Sequence, residues 1–136
     1  MNEIQHKETV GHLPDGAEIE VQSIEFIDRR VLFIRVEGEA DSTFDVQAPN
    51  SQLAFNLQYQ NEDDDFSCEK VCLVGDSLNV KLSLLVNHLS KLLYMNRETR
   101  NLIISVSSKI FDTGKASSRG DFDRFISVLE LVKKVL

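Results

Sequence analysis

The chain is 136 residues long, 42% hydrophobic and 27% charged, with a formal net charge of −7. That length fits one globular domain able to bury about two-thirds of its unfolded surface, so no disulfide staple is required. The acidic balance, and the lack of any basic cluster beyond the pairs Arg29-Arg30 and Lys133-Lys134, argue against nucleic acid as a partner, because phosphate-backbone affinity rests on grouped Lys and Arg.

In chain order, the polar stretch 3–10 predicts an edge strand, and "GHLPDG" a turn with Pro and Gly in turn positions. The next strand, 17–27, alternates at Ile19 and Val21 and then shifts phase to Ile24 and Phe26, which predicts a bulge at Gln22-Ser23. Asp28-Arg29-Arg30 is short enough for a hairpin into the apolar strand "VLFIRVE", and "GEADS" turns into "TFDVQ". After Pro49, "LAFNLQYQ" alternates through Leu53, Phe55, Leu57 and Tyr59 and predicts a further strand over 53–60 with one buried face. "NEDDDF" reads as a loop and "EKVCLVG" as a strand. Asp76-Ser77 reads as the cap of a helix over 78–95, with Leu78, Leu82, Leu85, Leu89 and Leu92 on its apolar side and Lys81, His88 and Lys91 on its polar side. Arg97 and Arg100 follow where positive charge suits the helix macrodipole. "NLIISVSSKI" is a buried strand by its β-branched content. A last amphipathic helix presents Phe122, Phe125, Ile126, Leu129, Val132 and Leu136.

Strands followed by helix, strand and helix define an α+β domain built on a single, largely antiparallel sheet. "VLFIRV", "KVCLV" and "NLIISV" are apolar on more than one face, the pattern of central strands in a sheet covered on both sides. One chain supplies only two helices, so a second copy or a related chain is expected on the other face. The polar N-terminal stretch lacks a signal-peptide core, and no apolar run reaches a bilayer span, so a cytoplasmic or nuclear protein with no membrane partner is expected. Cys68 and Cys72, four apart on a strand, stand about 13 Å from each other and cannot bridge locally.

Two short motifs invite a catalytic or adhesive reading. Asp112-Thr113-Gly114 resembles the catalytic loop of aspartic proteases, where two carboxylates share a proton. Here Lys115 follows the Gly, no flap hairpin follows the loop, and two helical patterns contradict an all-β protease, so a polar turn is expected. Arg119-Gly120-Asp121 matches the integrin tripeptide but belongs to a chain with no export signal; Asp121 is expected to cap the last helix. Gly114-Lys115 is no phosphate loop, because Ala116 separates the Lys from the serines. His6, His12 and His88 have no metal-ligand spacing. Glu62 to Asp65 lack the alternation and Gly of a calcium loop. No catalytic, cofactor-binding or metal residue is assigned.

The run "HKETVGHLPDGAEIEVQS", the hairpin after it, "KVCLVGD" just before the helix "NVKLSLLVNHLSKLL", the strand "NLIISVSSKI" and the final helix together resemble proteasome assembly chaperones of the third-subunit type. The resemblance covers nearly the whole chain; the segments 51–67 and 111–121 look longer than the family pattern. It implies a sheet of about six strands with two helices, no enzymatic activity and no cofactor. The partners it implies are a related chaperone of the fourth-subunit type, or a second copy, and α subunits of the 20S core particle. The pair would promote α-ring assembly and leave before maturation. Candidate contact residues are Asp63, Asp64, Lys115 and Arg119, the exposed charges expected in the two long loops. The competing reading is a longin- or profilin-like adaptor in trafficking or cytoskeletal complexes.

Overall fold

The computed structural model describes residues 5–49, 69–111 and 119–136. Six strands, β1 (Gln5–His12), β2 (Glu18–Glu25), β3 (Arg29–Val36), β4 (Ser42–Val46), β5 (Lys70–Val74) and β6 (Asn101–Val106), form one sheet in the order β1-β2-β3-β6-β4-β5. Only the β3–β6 pair is parallel. Two helices, α1 (Val80–Met95) and α2 (Arg119–Lys133), and a 3-10 turn at Ser108–Ile110 complete the described elements. The α+β architecture expected from the sequence is the one observed. The strand expected over 53–60, the acidic run 62–65, Cys68 and the Asp112-Thr113-Gly114 turn lie outside the described residues.

The strand period of two places alternate side chains on opposite faces. Ile19 and Val21, Leu32, Ile34 and Val36, Phe44 and Val46, and Leu102, Ile104 and Val106 point to one face and are buried. They meet Leu82, Leu85, Val86, Leu89 and Leu93 of α1 and Val128, Leu131, Val132 and Val135 at the end of the chain in one core. The helices thus cover a single face.

Several local expectations change. β2 carries no bulge: its register runs unbroken from Glu18 to Glu25 against β1 and from Ile19 to Glu25 against β3. Ser23 takes the buried position in the alternation, and Arg30 Nε donates to its Oγ at 2.8 Å. A satisfied polar pair therefore continues the inward row, while Ile24 turns to the other face. Arg30, expected in a turn, belongs to β3.

The cap of α1 is Asn79, whose Oδ1 accepts from Leu82 N at 3.2 Å. Asp76 instead closes the preceding turn by accepting from Leu78 N at 2.9 Å. Lys91 is only 5% exposed, because the buried arc of α1 runs through Ser90, Lys91 and Tyr94 beyond the leucine stripe. In α2 the arc against the sheet is Val128, Leu131 and Val132, continued by Val135 just past its end, whereas Phe122 is exposed. Gly11 of β1 permits this docking: a Cβ there would lie 2.8 Å from Leu131 Cδ2. Phe125 packs edge-on against His88 of α1, ring centroids 5.1 Å apart at 89°. Asp121 is not the cap. It lies in the first turn of α2, buried, with Lys81 Nζ 2.5 Å from its Oδ2.

Under the helices lies a charged cluster that no pattern announced. Glu98, buried, accepts from Thr99 N at 2.8 Å and from Arg100 N and Nε at 3.0 and 2.9 Å. Its second oxygen sits 3.5 Å from Arg30 Nη1. Arg100 also donates to Phe26 O at 2.6 Å and Glu25 Oε1 at 2.8 Å. Arg30 donates to Val135 O at 3.1 Å. Burial alone would push the Glu98 carboxyl up; the Arg100 guanidinium and the N–H groups of Arg100 and Thr99 outweigh it and hold it below its ordinary value. The cluster pins the β2–β3 hairpin, the α1–β6 connection and the chain's last turn to one another. Arg100 serves this cluster rather than a helix dipole.

Candidate functional site

The face of the sheet opposite the helices carries the features of an interaction surface. Its side chains form continuous rows because the registers of neighbouring strands agree. One row runs His6, Ile24, Val31, Ile103, Asp45 and Val71; the next runs Glu8, Gln22, Phe33, Ser105, Thr43 and Val74. The middle of this face, Ile24, Val31, Phe33 and Ile103, is apolar and half-buried. Arg35 lies over the Phe33 ring, its guanidinium carbon 4.5 Å from the centroid, and holds Gln22 Oε1 at 2.8 Å and Glu20 at 3.7 Å. The apolar centre is thus bordered by ordered polar groups, as in a protein interface with a dry core and a polar rim.

The two margins of the sheet differ. β1 is mostly polar, with His6, Lys7 and Glu8 exposed and Val10 its one exposed large apolar side chain, a charged composition that discourages further strand pairing. β5, expected to be central from its apolarity, is the opposite edge among the described residues. Its pairing with β4 shifts register between Thr43 and Phe44, which leaves Leu73 without a direct partner. Val71, Leu73 and Val74 are exposed, as are Leu78 and Val80 just beyond. Gly75 makes the exit from β5 possible: its φ is +103°, and a Cβ would lie 2.6 Å from Ser42 Oγ.

Of the residues singled out by sequence, Arg119 opens α2; Asp63, Asp64 and Lys115 lie outside the described residues. His6 and His12 are on the edge strand and His88 is on α1, so the three do not converge. Among the described residues no group of three His, Cys, Asp or Glu side chains could hold a metal, and no helix is long and apolar enough to cross a membrane. A groove of about 360 Å³ between the helices is lined by Lys81, Leu84, His88, Phe111, Asp121, Phe122 and Phe125. Its one carboxylate is engaged by Lys81, so the groove offers packing surface rather than an acid–base pair. The open face was foreshadowed by the two-sided apolarity of β3 and β6; the exposed edge was not, because a covered strand and a bare one read alike in sequence.

Comparison with known proteins agrees with this arrangement of sheet and helices. Proteasome chaperone 3 of Saccharomyces cerevisiae is 27% identical over an alignment 166 positions long, gaps included, that spans 90% of this chain and 93% of that protein. A chain in the "Crystal Structure of a Novel Chaperone Complex for Yeast 20S Proteasome Assembly" superposes with a TM-score of 0.72 at 28% identity, over 96% of this chain and 98% of that one. The model of the 20S proteasome chaperone assembly proteins 3 and 4 matches residues 2–133. The chain belongs to that family.

Proposed function

We propose that this protein is a non-catalytic chaperone of 20S proteasome assembly that works as one half of a pair. The observation that carries this reading is the near full-length likeness to a yeast proteasome chaperone and to a chain of a yeast chaperone complex, joined to a sheet face whose apolar centre no described helix covers. Its partner is a related chaperone of the fourth-subunit type, seated on Ile24, Val31, Phe33 and Ile103. A sheet-on-sheet contact of this kind withdraws apolar surface at about 25 cal/mol per Å². The pair binds α subunits, favours the α ring and departs before the particle matures. Such turnover needs no nucleotide: a chaperone that binds the intermediate more tightly than the finished particle is released by the difference.

The test is a tagged pull-down from cells, resolved on a native gel and identified by mass spectrometry. The expected result is α subunits with a second small chaperone and without mature β subunits. Vesicle, scaffold or cytoskeletal complexes in their place would point to an adaptor and overturn the proposal. Asp112→Asn is expected to leave the capture unchanged, since no proteolysis takes part.

A further inference from the structure

Among the described residues nine large hydrophobic side chains are exposed, and five of them, Val71, Leu73, Val74, Leu78 and Val80, fall within a single run of ten residues. The run is the edge strand β5 with the turn that leads into α1. Scattered exposed hydrophobics are ordinary; a contiguous ribbon of them on a sheet edge is not. Val71 and Val74 end rows of the open face and could be covered by a chain packed there. Leu73 sits at the register shift, outside those rows. Leu78, 83% exposed, and Val80, 68% exposed, lie beyond the strand. A partner packed on the open face alone therefore leaves part of the ribbon bare.

The backbone decides what kind of group fits. Among the described residues β5 has a neighbour on one side only, β4. A strand edge presents a row of N–H and C=O groups, and another extended segment satisfies them. Charge narrows the choice further. Glu69 and Asp76 bracket the strand, both exposed, and Asp45 stands beside Val71 in the register; Lys70 is the one base among them. A second copy paired antiparallel through this edge would bring Glu69 of one chain towards Asp76 of the other at both ends of the ladder, a repulsive arrangement. A segment with apolar side chains at alternate positions and Lys or Arg at its ends meets the edge without that conflict.

We propose that β5 and the turn Gly75 to Val80 form a strand-addition site for an extended, basic-flanked segment of the assembling α subunit. The inference rests on the chaperone reading above and names the part of the client that is held. The strand is only five residues long, and so short a ladder makes a weak contact, as a chaperone that must let go requires.

The experiment uses the co-expressed chaperone pair and purified recombinant α subunits, with capture measured by titration and pairing by native mass spectrometry. Two variants address the edge, Leu73→Lys with Leu78→Lys, and Glu69→Lys. Their side chains are exposed, so the thermal midpoint is expected to stay near that of wild type. The expected result is capture weakened by about tenfold or more, the loss of one anchor contact at a small interface, with pairing intact. Unchanged capture would overturn the edge site and leave the chaperone reading standing. Lost pairing would assign the ribbon to the pairing surface and also overturn it. If no α subunit is captured even by the wild-type pair, both readings fall together.

Discussion

Glu98→Gln keeps the shape of the side chain and removes its charge. In the wild-type protein the carboxylate accepts four hydrogen bonds from Thr99 and Arg100 and faces Arg30. Its side chain is 2% exposed and that of Arg30 is 7% exposed. Arg100 retains Glu25 after the substitution, but Arg30 is left with only neutral acceptors, Ser23 and Val135 O. Removing one partner of a buried ion pair costs about 3–5 kcal/mol. Because Arg100 keeps a counterion and Gln keeps an acceptor oxygen, about 3 kcal/mol is expected, or roughly 12 °C in Tm for a domain of this size. Urea unfolding followed by circular dichroism measures it as a drop in midpoint at constant slope. The pH dependence has a definite sign. The folded-state pKa of Glu98 lies below its ordinary value of 4.5, so its contribution is complete above that pH and is lost as the pH falls through the depressed folded value. The gap between wild type and Glu98→Gln should therefore be widest at neutral pH and narrow in acid. Adding Arg30→Met to Glu98→Gln removes the stranded cation and should bring the double variant about 1–2 kcal/mol above the sum of the singles. A Glu98→Gln protein within about 1 kcal/mol of wild type would refute the argument, and so would a gap that persists unchanged in acid.

Other substitutions address other parts of the molecule. Phe33→Lys, in the centre of the open face, should weaken pairing by about 2 kcal/mol or more while the isolated chain unfolds within about 0.5 kcal/mol of wild type; analytical ultracentrifugation and thermal denaturation read the two separately. Gly75→Ala places a Cβ 2.6 Å from Ser42 Oγ and 3.1 Å from Asp41 O at a φ of +103°, and should lower stability by about 1–3 kcal/mol in a melting experiment. Replacing Asp63, Asp64, Lys115 and Arg119 together should reduce α-subunit capture at an unchanged Tm; unaltered capture would remove these four from the contact surface.

Pattern reading works where burial alone sets the pattern. β3 and β6 are apolar on both faces, and that was enough to foresee a sheet with a second face awaiting cover. It misleads where a polar group occupies an inward position. Ser23 interrupts the apolar alternation of β2 and suggests a bulge, yet Arg30, a strand away, makes the serine a satisfied core residue. It also misleads where a helix carries two apolar arcs. Phe122, Phe125 and Leu129 dominate α2 by size, but the smaller arc through Val128 and Val132 reaches the sheet, because Gly11 leaves room for Leu131. Glu98 and Arg100 were invisible as a cluster because their partners, Glu25 and Arg30, lie some seventy residues away and meet them only through the β3–β6 pairing.

That pairing also governs the order in which the chain can acquire its structure. β3 and β4 are separated by five residues in sequence, Glu37 to Asp41, yet they never touch as strands; β6 lies between them. A ribosome must deliver more than a hundred residues before β6 exists. Until then the β1–β2–β3 meander and the β4–β5 pair each hold an open inner edge and an uncovered apolar face. Non-local strand closure is slow, and unpaired edges invite misassociation while it is pending. Inserting β6 zips both halves at once, so the sheet should gain its stability in a single late, cooperative step rather than strand by strand.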